Sequence, residues 1–349
     1  MLKRNVLLRD RMRLLLPATL LLALAATLLR VPTASSQGVT LVARQVEGEL
    51  PVDAPDSPAW EQAAPVEVPL AAQTVAAPRL PNPSVKTVTV RALHNGTRVA
   101  FRVEWADATE DRRMVRVDEF RDAVAIQFAL AEGQPFFCMG QAGGLVNIWH
   151  WKADWEADLA GYQDMESAYP NMAVDVYPAT EAQPGDLATV DQYDPAFLTA
   201  LAAGNLFASP ERTSSVEDLT AGGFGTITAQ GADGQNVHGN GVWRDGQWRV
   251  VFDRALESDE ADDMTFKLGQ VASIAFAAWD GSNGERNGQK ATSNWYSFQL
   301  EGEAPQPPAQ WSLPGAPEAL QVLALVAGIG LAIWLMAAVV GRMGRSRGA

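Results

Sequence analysis

From residue 86 onward, apolar and polar positions alternate with period two over short stretches, the pattern of strands with one buried face. Residues 87–93 (TVTVRAL) and 98–105 (RVAFRVEW) flank His94-Asn95-Gly96-Thr97. Two β-rich runs around Asn-Gly predict a hairpin. Residues 122–130 (DAVAIQFAL) read as a further strand. Residues 241–252 (GVWRDGQWRVVF) read as a second hairpin with Asp-Gly at its turn. Residues 270–279 (QVASIAFAAW) predict a buried strand, 281–288 a polar loop, and 291–300 (ATSNWYSFQL) a closing strand. Residues 38–82 form a proline-rich arm in which 66–70 could make a short edge strand. Residues 178–222 read as a long excursion with a helical piece near 195–203. At least seven short strands, no internal repeat and no βαβ alternation predict an all-β fold, mainly an antiparallel β-sandwich with short helices in its loops.

The two ends break this pattern. Lys3, Arg4, Arg9, Arg11 and Arg13 precede an apolar run over 14–29, and Ala34-Ser35-Ser36 follows. Charged, apolar, then small is the order of a secretory signal, so residues 1–36 read as a signal peptide, with an uncleaved anchor as the alternative. Residues 319–341 are 23 positions without a charge. At ~1.5 Å per residue they span roughly 34 Å, enough for one transmembrane helix. A Pro-rich linker, 304–318, precedes it, and a basic tail, 342–349, with Arg342, Arg345 and Arg347, follows. Basic residues stay in the cytoplasm, which places the main domain, 37–303, on the extracytoplasmic, periplasmic side of the cell membrane.

Composition narrows the chemistry. The chain has 349 residues, one cysteine, three histidines and a formal net charge of −14. A single cysteine excludes an intrachain disulfide framework, a cysteine-held iron–sulfur cluster and a cysteine zinc site. With residues 1–36 (six basic, one acidic) and 319–349 (three basic, none acidic) set aside, residues 37–318 carry 18 basic and 40 acidic groups, net −22. Such a domain is no partner for nucleic acid, which needs clustered Lys and Arg. It suits a basic soluble partner, or solubility alone. There is no glycine-rich phosphate loop, no G-x-S-x-G and no H-E-x-x-H.

The densest aromatic stretch, 136–155, holds Met139 beside Gly140-Gln141-Ala142-Gly143-Gly144. A thioether there could bind a soft metal or haem iron, or fill the core. His150, between two tryptophans, reads as a packed, hydrogen-bonded histidine or as a ligand. His94 and His238 read as solvent-facing, and Cys138 as a small buried hydrophobe. The loop from Trp279 to Lys290 is the second unusual stretch, where Lys290 could serve chemistry or simply be exposed.

Three blocks, FFCMGQAGGLVNIWHWKADW, GNGVWRDGQWRVVFDRAL and IAFAAWDGSNGERNGQKATSNWYSFQL, occur in order and resemble the haem b (gamma) subunit of ethylbenzene dehydrogenase and its relatives in the dimethyl sulfoxide reductase family of molybdenum enzymes. The resemblance spans roughly residues 45–302. It implies a β-sandwich holding one haem b between a methionine and a lysine. The methionine carries over onto Met139 and the lysine onto Lys290, with Lys267 and Lys152 as alternatives. The chain departs from the soluble members by its C-terminal apolar segment.

A lysine binds iron only as the neutral amine, and reaching that form at pH 7 costs roughly 4.6 kcal/mol from a pKa of ~10.4. Iron bonding and burial must offset this. Two axial protein ligands leave no position for substrate, so the haem would relay electrons. No C-x-x-C-H is present for covalent attachment. The resemblance further implies a molybdopterin-containing catalytic subunit and an iron–sulfur subunit as partners, with a cytochrome or quinone-linked redox partner beyond them. The alternatives are a membrane-anchored carbohydrate-binding module with Trp149, Trp151 and Trp155 as its sugar platform, or a structural surface protein.

Overall fold

The computed structural model describes residues 40–131, 139–172, 199–209 and 211–302. The chain divides into two units, Met1–Gly302 and Glu303–Ala349, and every described residue belongs to the first. The expected signal peptide, linker, membrane span and tail, together with Cys138, lie outside the described residues. No helix among the described residues is long and apolar enough to cross a membrane.

Both expected hairpins form. Strands β4 (Thr87–His94) and β5 (Arg98–Ala106) pair antiparallel around Asn95-Gly96. The Asn95 side chain accepts the Thr97 and Arg98 N–H groups, which closes the turn. Strands β10 (His238–Arg244) and β11 (Gln247–Ala255) turn at Asp245 and Gly246, both left-handed, the conformation a two-residue hairpin turn requires. The remaining strands are β1 (Thr40–Gln45), β2 (Val66–Pro69), β3 (Ala71–Ala72), β6 (Ala123–Ala129), β7 (Val146–Lys152), β8 (Val216–Ala221), β9 (Thr228–Ala229), β12 (Ala272–Trp279), β13 (Ala291–Thr292) and β14 (Tyr296–Leu300). They form one sheet in the order β10-β11-β5-β4-β1-β14-β12-β6-β7-β8-β9, with β2 on β4, and β13 joining β12 to β3. Helices are short: α1 (Ala153–Asp158), α2 (Met165–Ala168) and α3 (Thr199–Ala202).

Strands β5 and β11 pack their aromatic side chains against those of β6 and β7. Phe101 of β5 lies 5.7 Å from Phe128 of β6 and 5.9 Å from Trp149 of β7. Trp151 of β7 meets Trp248 of β11 at 4.9 Å and Trp105 of β5 at 6.2 Å. Each such side chain contributes about 1.5–3 kcal/mol by leaving water. Gly241 is required where β10 crosses Trp151, since a Cβ there would stand 2.2 Å from the indole.

Four expectations change. The proline-rich arm forms the expected edge strand at β2, which pairs with β4 alone, but it also contributes β1, which pairs parallel with both β4 and β14 in the middle of the sheet. The closing strand is two pieces, because Ser293 takes the Phe276 N–H on its side-chain oxygen and breaks the ladder. His94 is buried, its Nε2 2.8 Å from the Glu301 carbonyl. Trp149, Trp151 and Trp155 are core residues, 0, 0 and 4% exposed, so they form no sugar platform.

Candidate functional site

The register of β12, β6, β7 and β8 makes a floor with two unlike faces. Toward the core the middle strands point Val124, Ile126, Phe128, Trp149, Trp151 and Phe276. Toward the other face they place rows interrupted by alanine: Ala275 beside Gln127 and Ile148, Ala277 beside Ala125 and His150, Trp279 beside Ala123 and Lys152. Four alanines where the neighbouring face carries bulky side chains leave space, and a cavity of about 670 Å³ lies over them. That is a ligand-sized volume.

Met139 and Lys290 meet in this cavity. The Lys290 Nζ donates to the Met139 Sδ at 3.4 Å, across 151 residues of sequence. A compact turn fixes each backbone. Met139 is left-handed (φ 71°), a conformation that costs a non-glycine residue about 1–2 kcal/mol. Its N–H donates to Gln127 Oε1 (2.9 Å) and its carbonyl accepts the Gly223 N–H (2.8 Å). The following Gly140 is also left-handed, and a Cβ there would stand 2.6 Å from the Gly144 carbonyl oxygen. On the other side, Arg286 and Gln289 exchange hydrogen bonds around Asn287-Gly288. Gln73 then ties the turn down, donating its side-chain Nε2 to the Gly288 carbonyl and its backbone N–H to the Lys290 carbonyl.

Lys152 also lines the cavity but is committed to Glu217, one strand away, in a buried ion pair. Burial pulls its ammonium down to about 7, against the Glu217 carboxylate that holds it up. Trp155 and Phe207 enclose it at 3.7 and 4.3 Å. Lys267 is exposed and lies outside the cavity lining. His150 stacks on Trp279 (4.8 Å, 29°), as does the Lys290 ammonium at 5.1 Å. Burial, then Lys152, Arg121 and Lys290, push the His150 pKa well below its usual value, so the ring is neutral. The expected hydrogen bond is absent at Nε2, which is buried without a partner. His238 opens β10 and reaches Asp53 at 3.2 Å.

The cavity matches what a porphyrin requires. It offers an apolar floor, a thioether and an amine converging from different loops, and orphaned polar atoms, Gln127 Nε2 and His150 Nε2, on its lining. Arg121 and Arg286 add positive charge to the lining. Met139 and Lys290 would hold such a group through a thioether and an amine.

Sequence reasoning passed over Gln127 and the alanine floor. A lone glutamine inside AVAIQFA was the available signal for the first. It also passed over a buried carboxylate group, Asp107, Asp122 and Asp280, whose oxygens lie within 4.8 Å of one another. Asp122 accepts the Asp111 and Gly281 N–H groups and so stitches two loops together.

A model of the ethylbenzene dehydrogenase family matches residues 57–291. A protein of Haloferax mediterranei named for the heme subunit of a respiratory nitrate reductase is 27% identical over 79% of this chain and 81% of its own. Dimethylsulfide dehydrogenase subunit gamma of Rhodovulum sulfidophilum is 26% identical over 63% of this chain and 62% of its own. Chlorate reductase subunit gamma of Ideonella dechloratans is 26% identical over 62% of this chain and 66% of its own. Among solved structures, a family 9 carbohydrate-binding module of Caldicellulosiruptor kristjanssonii aligns with 80% of this chain and all of its own, at a TM-score of 0.35 and 8% identity. With residues 57–291 matched, the chain belongs to the ethylbenzene dehydrogenase family.

Proposed function

We propose that this chain is the haem b-binding, electron-transferring gamma subunit of a molybdenum oxidoreductase complex, with Met139 and Lys290 as the axial ligands. The observation that carries the reading is the 3.4 Å approach of the Lys290 amine to the Met139 thioether inside a cavity floored by alanine. The names of the relatives, a heme subunit and two gamma subunits, support it. The absence of C-x-x-C-H favours a non-covalent haem. Bound haem supplies a one-electron couple. Around it Met139 and Lys290 would hold the group over the largely apolar lining of the cavity. Haem held by both Met139 and Lys290 would have no open position for substrate and would serve as an electron relay. The electron route would run between an iron–sulfur subunit and a cytochrome or quinone-linked partner. The basic–apolar N-terminus and the apolar 319–341 segment support an extracytoplasmic domain held by one C-terminal helix. Haem titration of the purified full chain tests the reading. It predicts one haem per chain with a low-spin spectrum in both oxidation states, and no saturable uptake would reject it.

A further inference from the structure

Gln127 sits in the middle of β6, buried among apolar residues, where a carboxamide is costly unless its polar atoms are used. Its oxygen is used: Oε1 accepts the Met139 N–H at 2.9 Å. Because that partner is a donor, the orientation of the carboxamide is settled, and Nε2 is the end left without a protein partner on the cavity lining. Met139 is the residue whose left-handed backbone most needs such support, and the Gly223 N–H holds its other side. Among the described residues the Gln127 side chain hydrogen-bonds Met139, so its action on the site runs through Met139.

We propose that Gln127 is the positioning residue of the thioether ligand. Its carboxamide oxygen locks Met139 in the left-handed turn with Sδ aimed at Lys290, and its orphaned Nε2 is a hydrogen-bond donor reserved for what the cavity holds. The inference rests on Met139 being an axial donor, and it adds the residue that keeps that donor in place.

The test uses the haem-loaded full chain and two variants: Gln127→Leu, which keeps the bulk and removes the acceptor, and Gln127→Glu, which keeps an acceptor oxygen. The readouts are the rate at which carbon monoxide captures the ferrous haem, the haem midpoint potential, and the unfolding midpoint of the haem-free chain. Carbon monoxide must wait for the thioether to leave, so Gln127→Leu should capture it about tenfold faster, as expected from loss of one buried hydrogen bond. Its potential should shift, and Gln127→Glu should stay within about twofold of the parent rate. A purely structural glutamine would instead lower the haem-free unfolding midpoint and leave both haem readouts unchanged. If Gln127→Leu fails to fold, Gln127→Asn, whose acceptor is withdrawn by one methylene, is read the same way. A parent-like capture rate in Gln127→Leu, on a low-spin parent, overturns the role of Gln127 alone. A parent chain without low-spin haem overturns the functional reading as well.

Discussion

Lys152 of β7 and Glu217 of β8 form an ion pair in the cavity wall, with 1 and 5% of their side-chain surfaces exposed. The pair explains why a lysine that lines the cavity is not available as a ligand. Removing one partner strands a buried charge. Lys152→Met or Glu217→Gln should each cost about 3–5 kcal/mol, whereas replacing both with apolar residues should be close to neutral. Urea unfolding of the haem-free chain measures this. The Lys152→Met protein that does fold should keep the parent's low-spin haem spectrum, and loss of that spectrum would reassign the second ligand.

The floor gives a prediction that does not depend on charge. Ala125 and Ala277 are small where the strands' other face carries aromatic rings. Ala277→Phe should fill the cavity, abolish haem uptake and leave the unfolding midpoint of the haem-free chain the same or higher, since it adds apolar contact without opening a void. Titration of the variant with haem, beside a urea melt, checks both halves.

Asp218 of β8 makes stability depend on pH. Its Oδ1 accepts Asn147 and Gln230, while Oδ2 has no partner and the Asp263 carboxylate lies close by. Burial first, then Asp263, raise its pKa to about 8. The folded chain therefore keeps a proton that the unfolded chain, with an aspartate pKa of about 3.9, has released. This contribution is complete below pH ~4, fades as the pH rises and is gone above about 8. The urea midpoint should be lower at about pH 8.5 than at about pH 6, and Asp218→Asn should shrink the difference. A midpoint that rises over that interval would reverse the sign.

The turn under Met139 should be intolerant of any side chain after it. In Gly140→Ala the new Cβ would face the Gly144 and Ala221 carbonyl oxygens at 2.6 and 2.8 Å in a left-handed backbone. Haem affinity should fall at least about tenfold while the β-sheet circular dichroism is retained, because the strain falls on the loop. Unchanged affinity would mean that Met139 does not need its turn.

Local chemistry was legible in the sequence, and long-range pairing was not. Asn95-Gly96 and Asp245-Gly246 announce their hairpins because turn geometry depends on adjacent residues. β1 is hidden because its six residues sit in a proline-rich arm and acquire neighbours only through β4 and β14, the latter some 250 residues away. The same holds at the site. Met139 and Lys290 were named through a family resemblance, whereas the alanine floor exists only once β12, β6 and β7 are in register. No window of sequence distinguishes Ala125 or Ala277 from ordinary strand alanines. His94 was misjudged because an Asn-Gly turn beside it suggests exposure, while the Glu301 carbonyl that buries it comes from the far end of the domain.

The most direct test is the oxidised absorption and electron paramagnetic resonance spectrum of the haem-loaded full chain beside Met139→Ala and Lys290→Ala. The account predicts a low-spin parent and, for each variant, conversion to high-spin or mixed-spin haem with the protein still folded. A low-spin signal that persists unchanged when either residue is removed would contradict it.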